Sequence, residues 1–494
     1  MSSHQHQQDP NHVQKQPNGP KIKDVSGSVV VIMVPLPAQG HLNPLLELAH
    51  LIASYGVPVH YVGSASHNHQ AKLRFHVPPS STPGNIRFHD FPTPPFLSPA
   101  PSPNSPHKFP SHLQPVLETT SSLRSPVADL VRSLSSGSRR VVVVNDSLMA
   151  SVVQDAASVP NAEIYIFYAV SAFALCWYVW ESRGMAPPPE VEVDVAELIS
   201  SKGFPSLLDS FTDEFLKFVA SEDEFEKFSS GSIYNTCRVV EGRYVDLFAS
   251  AATNGTMTKH WAIGPFNPVK VPEKRSRRSA HLCLEWLDKQ APSSVIYVSF
   301  GTTTVLSDEQ IREIAMGLER SGQKFIWVLR EADKADIFSG GGEARKIELP
   351  QGFEEMVETR DLGVVMRDWA PQLEILGHPA TGGFLSHCGW NSCMESISMG
   401  VPILAWPMHS DQPWNAVLIT RVLKIGLTVK DWMSQEDVVK SSTIEGTVKA
   451  LMASEAGEEM RKRAAELGAA VRGSTDEGGV SRAELDSFIA HISR

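Results

Sequence analysis

The chain has 494 residues, 42% hydrophobic and 20% charged, which describes a folded globular protein too long for one ordinary core. Its formal net charge of -11 argues against nucleic acid, whose phosphates need a basic face, and against docking on anionic membranes. The five cysteines are scattered, odd in number and free of any CxxC pair, which excludes a disulfide framework and fits a cytoplasmic, reducing setting.

Residues 1–28 are polar, rich in Gln, His and Pro, and lack an apolar stretch, so a disordered tail is expected rather than a signal peptide. Ser28–Pro35 is a β-branched apolar run suited to a buried parallel strand. The turn Pro37–Gly40 follows, and Leu42, Leu45, Leu46, Leu48, Ala49 and Ile52 then recur at helical spacing. With a strand at Val57–Val62 this makes a β-α-β unit. Pro78–Pro110 carries eleven prolines in 33 residues and is expected to form no regular element. Arg140–Asn145 and Glu163–Tyr168 read as further strands. Ile164–Trp180 is apolar enough to require a membrane check, but it is short for a span and lacks a basic flank. A buried strand entering a buried helix is the reading adopted. Residues 185–230 are acidic and partly helical, with no chemical role assigned.

The pattern breaks near Ile263–Pro265, and a basic, proline-containing stretch follows. The expected division is an N-terminal Rossmann-like domain at 29–265 and a linker at 266–280. A second Rossmann-like domain at 281–475 follows, then a C-terminal helix at 476–494 packing back on the first domain. Strands at Ser294–Phe300, Lys324–Leu329, Gly363–Met366, Gly383–Ser386 and Pro402–Ala405 build the second sheet, with a helix at Asp308–Ser321. The fold class is therefore α/β, two Rossmann-like domains facing each other across a cleft, with ligands at the C-terminal ends of the strands.

Trp369–Gln412 is the most informative segment. A glycine-led strand ends at Ser386, a tight turn carries His387 and Trp390, and Asn391 and Ser392 open a helix. Free backbone N–H groups and the helix dipole make such a junction an anion site. Glu395, one turn on, is placed to accept from ribose hydroxyls, Trp369 offers a face for a base, and Asp411 and Gln412 suit sugar hydroxyls. GxGxxG and Walker A patterns are absent from this segment.

This 44-residue segment, running without a gap from Trp to Gln, closely resembles the signature of the plant UDP-glycosyltransferases. The resemblance implies a GT-B fold and an inverting reaction in which the UDP-sugar is a co-substrate and no cofactor is needed. It implies UDP contacts from Trp369, Ala370, Gln372, His387, Asn391, Ser392 and Glu395, with Thr302 as a second phosphate contact. It also implies sugar contacts from Trp390, Asp411 and Gln412, a terminal Gln going with UDP-glucose.

An alcohol needs a positioned base as it attacks. His41 follows the first strand at the start of the first helix, facing the cleft, where the helix N-terminus is expected to keep it neutral. The family carries its base histidine at this turn. Asp146 ends the Val141–Asn145 strand at the same sheet edge and matches the family's catalytic aspartate, although a cap for the following helix would also suit it. With no Asp-x-Asp and no HExxH spacing, no metal is expected.

Val57–Gln70, Phe109–Pro115, Ser232–Asp246, Lys259–Val269 and Ser481–Arg494 resemble the zeatin O-glycosyltransferases. This implies UDP-glucose or UDP-xylose as donor and a small hydroxylated acceptor such as zeatin, with the His, Pro and Phe residues of Phe88–Phe109 lining its adenine side. Ala169 stands where the family often has Thr or Ser. A monomer is expected. A phenolic or flavonoid O-glucosyltransferase would share the donor site. A non-catalytic nucleotide-sugar sensor would show a damaged base or donor site, whereas His41, Asp146, Glu395 and Gln412 all stand.

Overall fold

Alternate residues of the first strand, β1 (Val29–Val34), bury on opposite faces. Val29, Val31 and Met33 enter one apolar cluster, and Val30, Ile32 and Val34 enter another. A strand buried on both faces belongs in the middle of a parallel sheet. β1 lies between β2 (Val59–Gly63) and β4 (Arg140–Asp146), with Val31 opposite both Val59 and Val142. With β3 (Ile86–Asp90), β5 (Ala162–Tyr168), β6 (Ser229–Tyr234) and β7 (Lys259–Ala262), the parallel sheet runs β3-β2-β1-β4-β5-β6-β7.

The second sheet is built alike. Its strands are β8 (Val295–Ser299), β9 (Lys324–Val328), β10 (Gly363–Met366), β11 (Thr381–Ser386), β12 (Ile403–Ala405) and β13 (Gly426–Thr428), in the order β10-β9-β8-β11-β12-β13 and all parallel. Strand order reverses between β1 and β4 in one sheet and between β8 and β11 in the other, and crevices for ligands form at such switch points. Both open on the cleft. The computed structural model describes residues 29–74, 85–97, 99–102, 109–184, 204–251, 259–270, 282–334, 336–338, 347–432 and 438–494. The expected tail, most of the linker and the first part of the 185–230 segment lie outside these.

Local signals account for the elements that carry the site. The helix Gln39–Ser54 starts at Ala38 and buries Leu42, Leu45, Leu46, Leu48, Ala49 and Ile52, the stripe its spacing predicts. The helix Asp308–Ser321 is capped by the Ser307 hydroxyl, carries Asp308 and Glu309 in its first turn and ends at Gly322 with φ 65°. The apolar stretch from Ile164 divides into β5 and the helix Ala172–Ser182, capped by Ser171. Among the described residues no helix is long and apolar enough to cross a membrane.

One expectation changes. The proline-rich segment does hold a regular element: the proline-free run Ile86–Asp90 pairs with β2 as the edge strand β3. An edge strand tolerates prolines at its ends, because one side of its backbone needs no ladder. The helical content expected within 185–230 includes the helix Asp213–Asp223, whose Phe215 and Val219 pack under the cleft.

The domains are joined by packing as well as by the chain. Phe173 and Trp177 of the first domain share one buried cluster with Trp390, Cys393 and Trp414 of the second. The last helix, Val480–Ile492, lies on the first domain, with Leu485, Phe488, Ile489 and Ile492 in the cluster that holds Val31 and Met33. All five cysteines are free and buried.

Candidate active site

One cavity of about 710 Å3 occupies the cleft and is lined by both domains. His41 enters it from the third position of the helix Gln39–Ser54, and Asp146 ends β4 beside it. Their side chains meet, with His41 Nδ1 2.7 Å from Asp146 Oδ2. Asp146 is fully buried, and its other oxygen accepts from the Leu148 N–H at 3.0 Å. Asp146 thus makes two contacts at once: one oxygen caps the following turn and the other bonds the histidine. With Nδ1 engaged, Nε2 is the nitrogen left for the cavity.

The electrostatics correct the expectation that the helix N-terminus keeps His41 neutral. Burial disfavours the imidazolium, but Asp146, by charge and hydrogen bond, and the more distant Asp411 outweigh it, so the His41 pKa lies above the ordinary histidine value. A carboxylate at 2.7 Å exceeds what the partial charge of a helix end can do.

Across the cleft, β11 ends at Ser386 and the helix Trp390–Met399 begins after Gly389. The N–H groups of Trp390, Asn391 and Ser392 precede the first intrahelical bond, Cys393 N–H to Gly389 O, an arrangement that suits an anion. Cys388 reaches this turn with φ 64°, a strained conformation for a residue with a side chain. His387 is buried, which pulls its pKa down to about 4 and keeps it neutral. Its ring lies so close to Gly301 and Gly389 that a Cβ on either would come within 2.5 Å of Nε2, which explains both glycines. Thr302 lines the same part of the cavity.

Gln372 joins Ser392 and Glu395 on the helix that follows the turn. Its Nε2 donates to Glu395 Oε2 at 2.6 Å and to Ser392 Oγ at 3.0 Å. Trp369 and Ala370 line the cavity next to it. At the other end of the cavity, Asp411 Oδ2 accepts from Asn415 Nδ2 at 2.8 Å, and burial raises the Asp411 pKa. The Gln412 carbonyl accepts from the Met408 and His409 N–H groups at 2.9 and 3.1 Å, and its amide nitrogen lies 3.3 Å from the His409 ring.

The structure refines two expected donors. The Trp390 indole N–H is bonded to Asn235 O at 2.6 Å, and Asn391 Nδ2 donates to Gly40 O at 2.8 Å. Both side chains bridge the domains, which leaves their backbone N–H groups as the free donors.

The acceptor side corrects the expectation for Phe88–Phe109. Among the described residues of this stretch, Phe109 is the one aromatic that lines the cavity, and His107 lies outside the described residues. Phe88 packs on Tyr61 at the sheet edge, and Phe91 and Phe96 pack on the core beneath. The wall comes instead from Phe211, Phe215 and Val219, with Tyr168, Asp223, Glu226 and His260 further along. Tyr168 donates to Glu226 Oε1 at 3.0 Å, and burial, then the Asp223 charge, raises the Glu226 pKa to about 7. The i, i+4, i+8 spacing of Phe211, Phe215 and Val219 was the available signal for this wall. Asn415 and Ser171 carried no such signal. Ser171 donates to Asn415 Oδ1 at 2.6 Å across the domains, which turns the Asn415 amide nitrogen toward Asp411. Ala169 lines the cavity without a hydroxyl.

Comparisons agree with this arrangement. Residues 27–268 match the model for "Glycosyltransferase, N-terminal domain", and 276–455 match that for "UDP-glucoronosyl and UDP-glucosyl transferase". The chain is 56% identical to a zeatin O-glucosyltransferase of Phaseolus lunatus, over 94% of this chain and 97% of that protein. It is 54% identical to a zeatin O-xylosyltransferase of Phaseolus vulgaris, over 94% and 98%. A glycosyltransferase structure from Siraitia grosvenorii in complex with UDP superposes with a TM-score of 0.74 at 29% identity, covering 94% of this chain and all of the other. With two parallel Rossmann-like sheets, a cleft between them and these relatives, the chain belongs to the plant UDP-glycosyltransferase family of GT-B enzymes.

Proposed function

We propose that the protein transfers glucose from UDP-glucose to the side-chain hydroxyl of zeatin with inversion at the anomeric carbon. The observation that carries the reading is the His41–Asp146 pair, which lines the same cavity as the helix N-terminus at Trp390–Ser392. In this account the acceptor hydroxyl gives its proton to His41 Nε2 while its oxygen bonds to the sugar C1. The C1–O bond to UDP breaks on the opposite face, so an α-linked donor becomes a β-glycoside. The proton stays on the imidazole, where Asp146 stabilises it. UDP leaves with its charge met by the backbone N–H groups of the helix end and by Thr302, while His387, held neutral, offers a further polar contact. Trp369, Ala370, Gln372 and Glu395 hold the nucleoside, and Trp390, Asp411 and Gln412 hold the sugar. Helix N-terminus and polar donors serve the diphosphate without a metal ion. Free, buried cysteines suit a cytosolic enzyme.

Zeatin as acceptor draws support from the Phaseolus relatives and from the pairing of an apolar wall with hydrogen-bonding groups at Tyr168, Glu226 and His260, which suits a flat heteroaromatic base. UDP-xylose is a second donor to weigh, because the xylosyltransferase is nearly as similar as the glucosyltransferase. The test is turnover of UDP-glucose and UDP-xylose against trans-zeatin, cis-zeatin, kaempferol and a simple phenol, with EDTA present, read by mass spectrometry. Gain of a hexose on zeatin is expected; transfer only to the phenolics, or loss of turnover in EDTA that Mg2+ restores, contradicts the acceptor or the metal-free account respectively.

A further inference from the structure

Trp369 is 41% exposed, and a flat ring left so open needs something to fix its orientation. Two guanidinium groups lie over it. Arg74 Cζ is 4.4 Å from the ring centre and Arg330 Cζ is 5.3 Å. Asp333 joins them: Oδ2 accepts from Arg74 Nη1 at 2.6 Å, and Oδ1 accepts from Arg330 at 2.6 and 2.9 Å. Side-chain exposures of 11% for Arg74 and 12% for Asp333 shield this pair from the screening that weakens surface ion pairs.

The members come from opposite sides of the cleft. Arg74 follows the helix Ala65–Leu73 of the first domain, whereas Arg330 and Asp333 follow β9 of the second. Arg74 Nη1 also donates to Gln39 Oε1 at 3.1 Å, two residues before His41. The Asp333 N–H donates to Thr302 O at 2.6 Å. Asp333 thus links the indole and the start of the helix that carries His41 through the arginines on its carboxylate, and the Thr302 turn through its backbone N–H.

We infer that Arg74 is a donor-site positioning residue supplied by the acceptor domain: held by Asp333, its guanidinium backs the Trp369 indole so that the opposite face receives the uracil. The inference rests on the reading of Trp369 as the nucleobase platform. The cavity touches Trp369 and Arg330 but not Arg74, so Arg74 lies outside the space a base would fill. A planar guanidinium is suited to this task, because it stacks on the indole while its fork holds a carboxylate. The consequence is that the donor's base site is complete only while the two domains are in contact.

The test titrates UDP by calorimetry into the wild type, R74A, R74K, D333N and W369A, with kinetics in which UDP-glucose and zeatin are varied separately. R74A and D333N are expected to weaken UDP roughly 3- to 30-fold, the range of a partly buried cation–π contact. The UDP-glucose KM should rise by the same factor, with much smaller changes in kcat and in the zeatin KM. R74K keeps the charge but not the planar face and should fall between. Wild-type UDP affinity in R74A, alongside weakened binding in W369A, overturns the role of Arg74 alone. Unchanged affinity in W369A overturns the platform reading beneath it. If R74A and D333N lower Tm, depress kcat and raise both KM values alike, Arg74 is a strut of the domain interface and the inference fails.

Discussion

Asp146→Asn should damage the enzyme more than Asp146→Ala, and the hydrogen bonds around Asp146 say why. Oδ1 accepts from the Leu148 N–H and Oδ2 faces His41 Nδ1 at 2.7 Å. An asparagine that keeps its oxygen on the Leu148 N–H turns its NH2 toward His41. Nδ1 must then accept, the ring proton moves to Nε2, and the nitrogen facing the cavity can no longer take a proton. The lost charge alone removes a hydrogen bond to a charged partner, about 1.5–3 kcal/mol in the transition state where His41 becomes imidazolium, or roughly 10- to 150-fold in kcat. The wrong tautomer adds to this, so Asp146→Asn should lose about 10^2- to 10^4-fold and Asp146→Ala only the first factor. Steady-state kinetics with UDP-glucose at saturation, paired with calorimetric UDP titration, separates chemistry from binding; UDP affinity should stay near wild type in both variants. The pH profile gives a second reading. In the wild type the base must be neutral, so kcat/KM should fall on the acid side with a midpoint above the ordinary histidine value, and Asp146→Ala should move that limb to lower pH. Asp146→Asn retaining turnover within threefold, or exceeding Asp146→Ala, refutes the dyad.

Two further perturbations address the donor side and the domain contact. Asn415→Asp places a second carboxylate against Asp411 and removes its hydrogen bond at 2.8 Å; UDP-glucose kcat/KM should fall roughly 10- to 100-fold while UDP binding changes little, as kinetics and titration will show. Glu47 is held protonated by burial, then by the Glu395 charge, with its pKa raised to about 8, and its Oε1 has no hydrogen-bond partner among the described residues. Folding therefore takes up a proton at this site between the unfolded carboxylate range and pH 8, and its contribution to stability is lost as pH rises through that window. Glu47→Gln should match the wild type near pH 4.5 and exceed it by about 1–3 kcal/mol at pH 8 in thermal melts; a gap that does not grow with pH contradicts the assignment.

The parts legible in the sequence are those with a local cause. β1, β4, β8 and β11 are short β-branched or glycine-led runs; Asp146 ends β4 and His41 opens the helix after β1, so a strand and its following turn place each residue at a switch point. Trp369–Gln412 is continuous, and its strand–turn–helix junction follows from glycine and helix-start chemistry. β3 was hidden because prolines on both sides masked a five-residue edge strand. Contacts between the domains were not legible. Ser171 meeting Asn415, Asn391 meeting Gly40 and Trp390 meeting Asn235 join residues more than 150 positions apart, and no periodicity records such meetings. The direction of the His41 shift was not legible for the same reason: the deciding charge, Asp146, is 105 residues away in the chain.

The most direct measurement of the central claim is the structure of the product. Wild-type enzyme would be supplied with UDP-glucose and trans-zeatin in EDTA, and the purified product examined by NMR for its attachment atom and anomeric configuration. A β-glucoside on the side-chain oxygen is predicted from attack through His41 opposite the leaving UDP. An α-glucoside would contradict the single inverting displacement, and glucose on an adenine ring nitrogen would contradict the placement of the hydroxyl at His41.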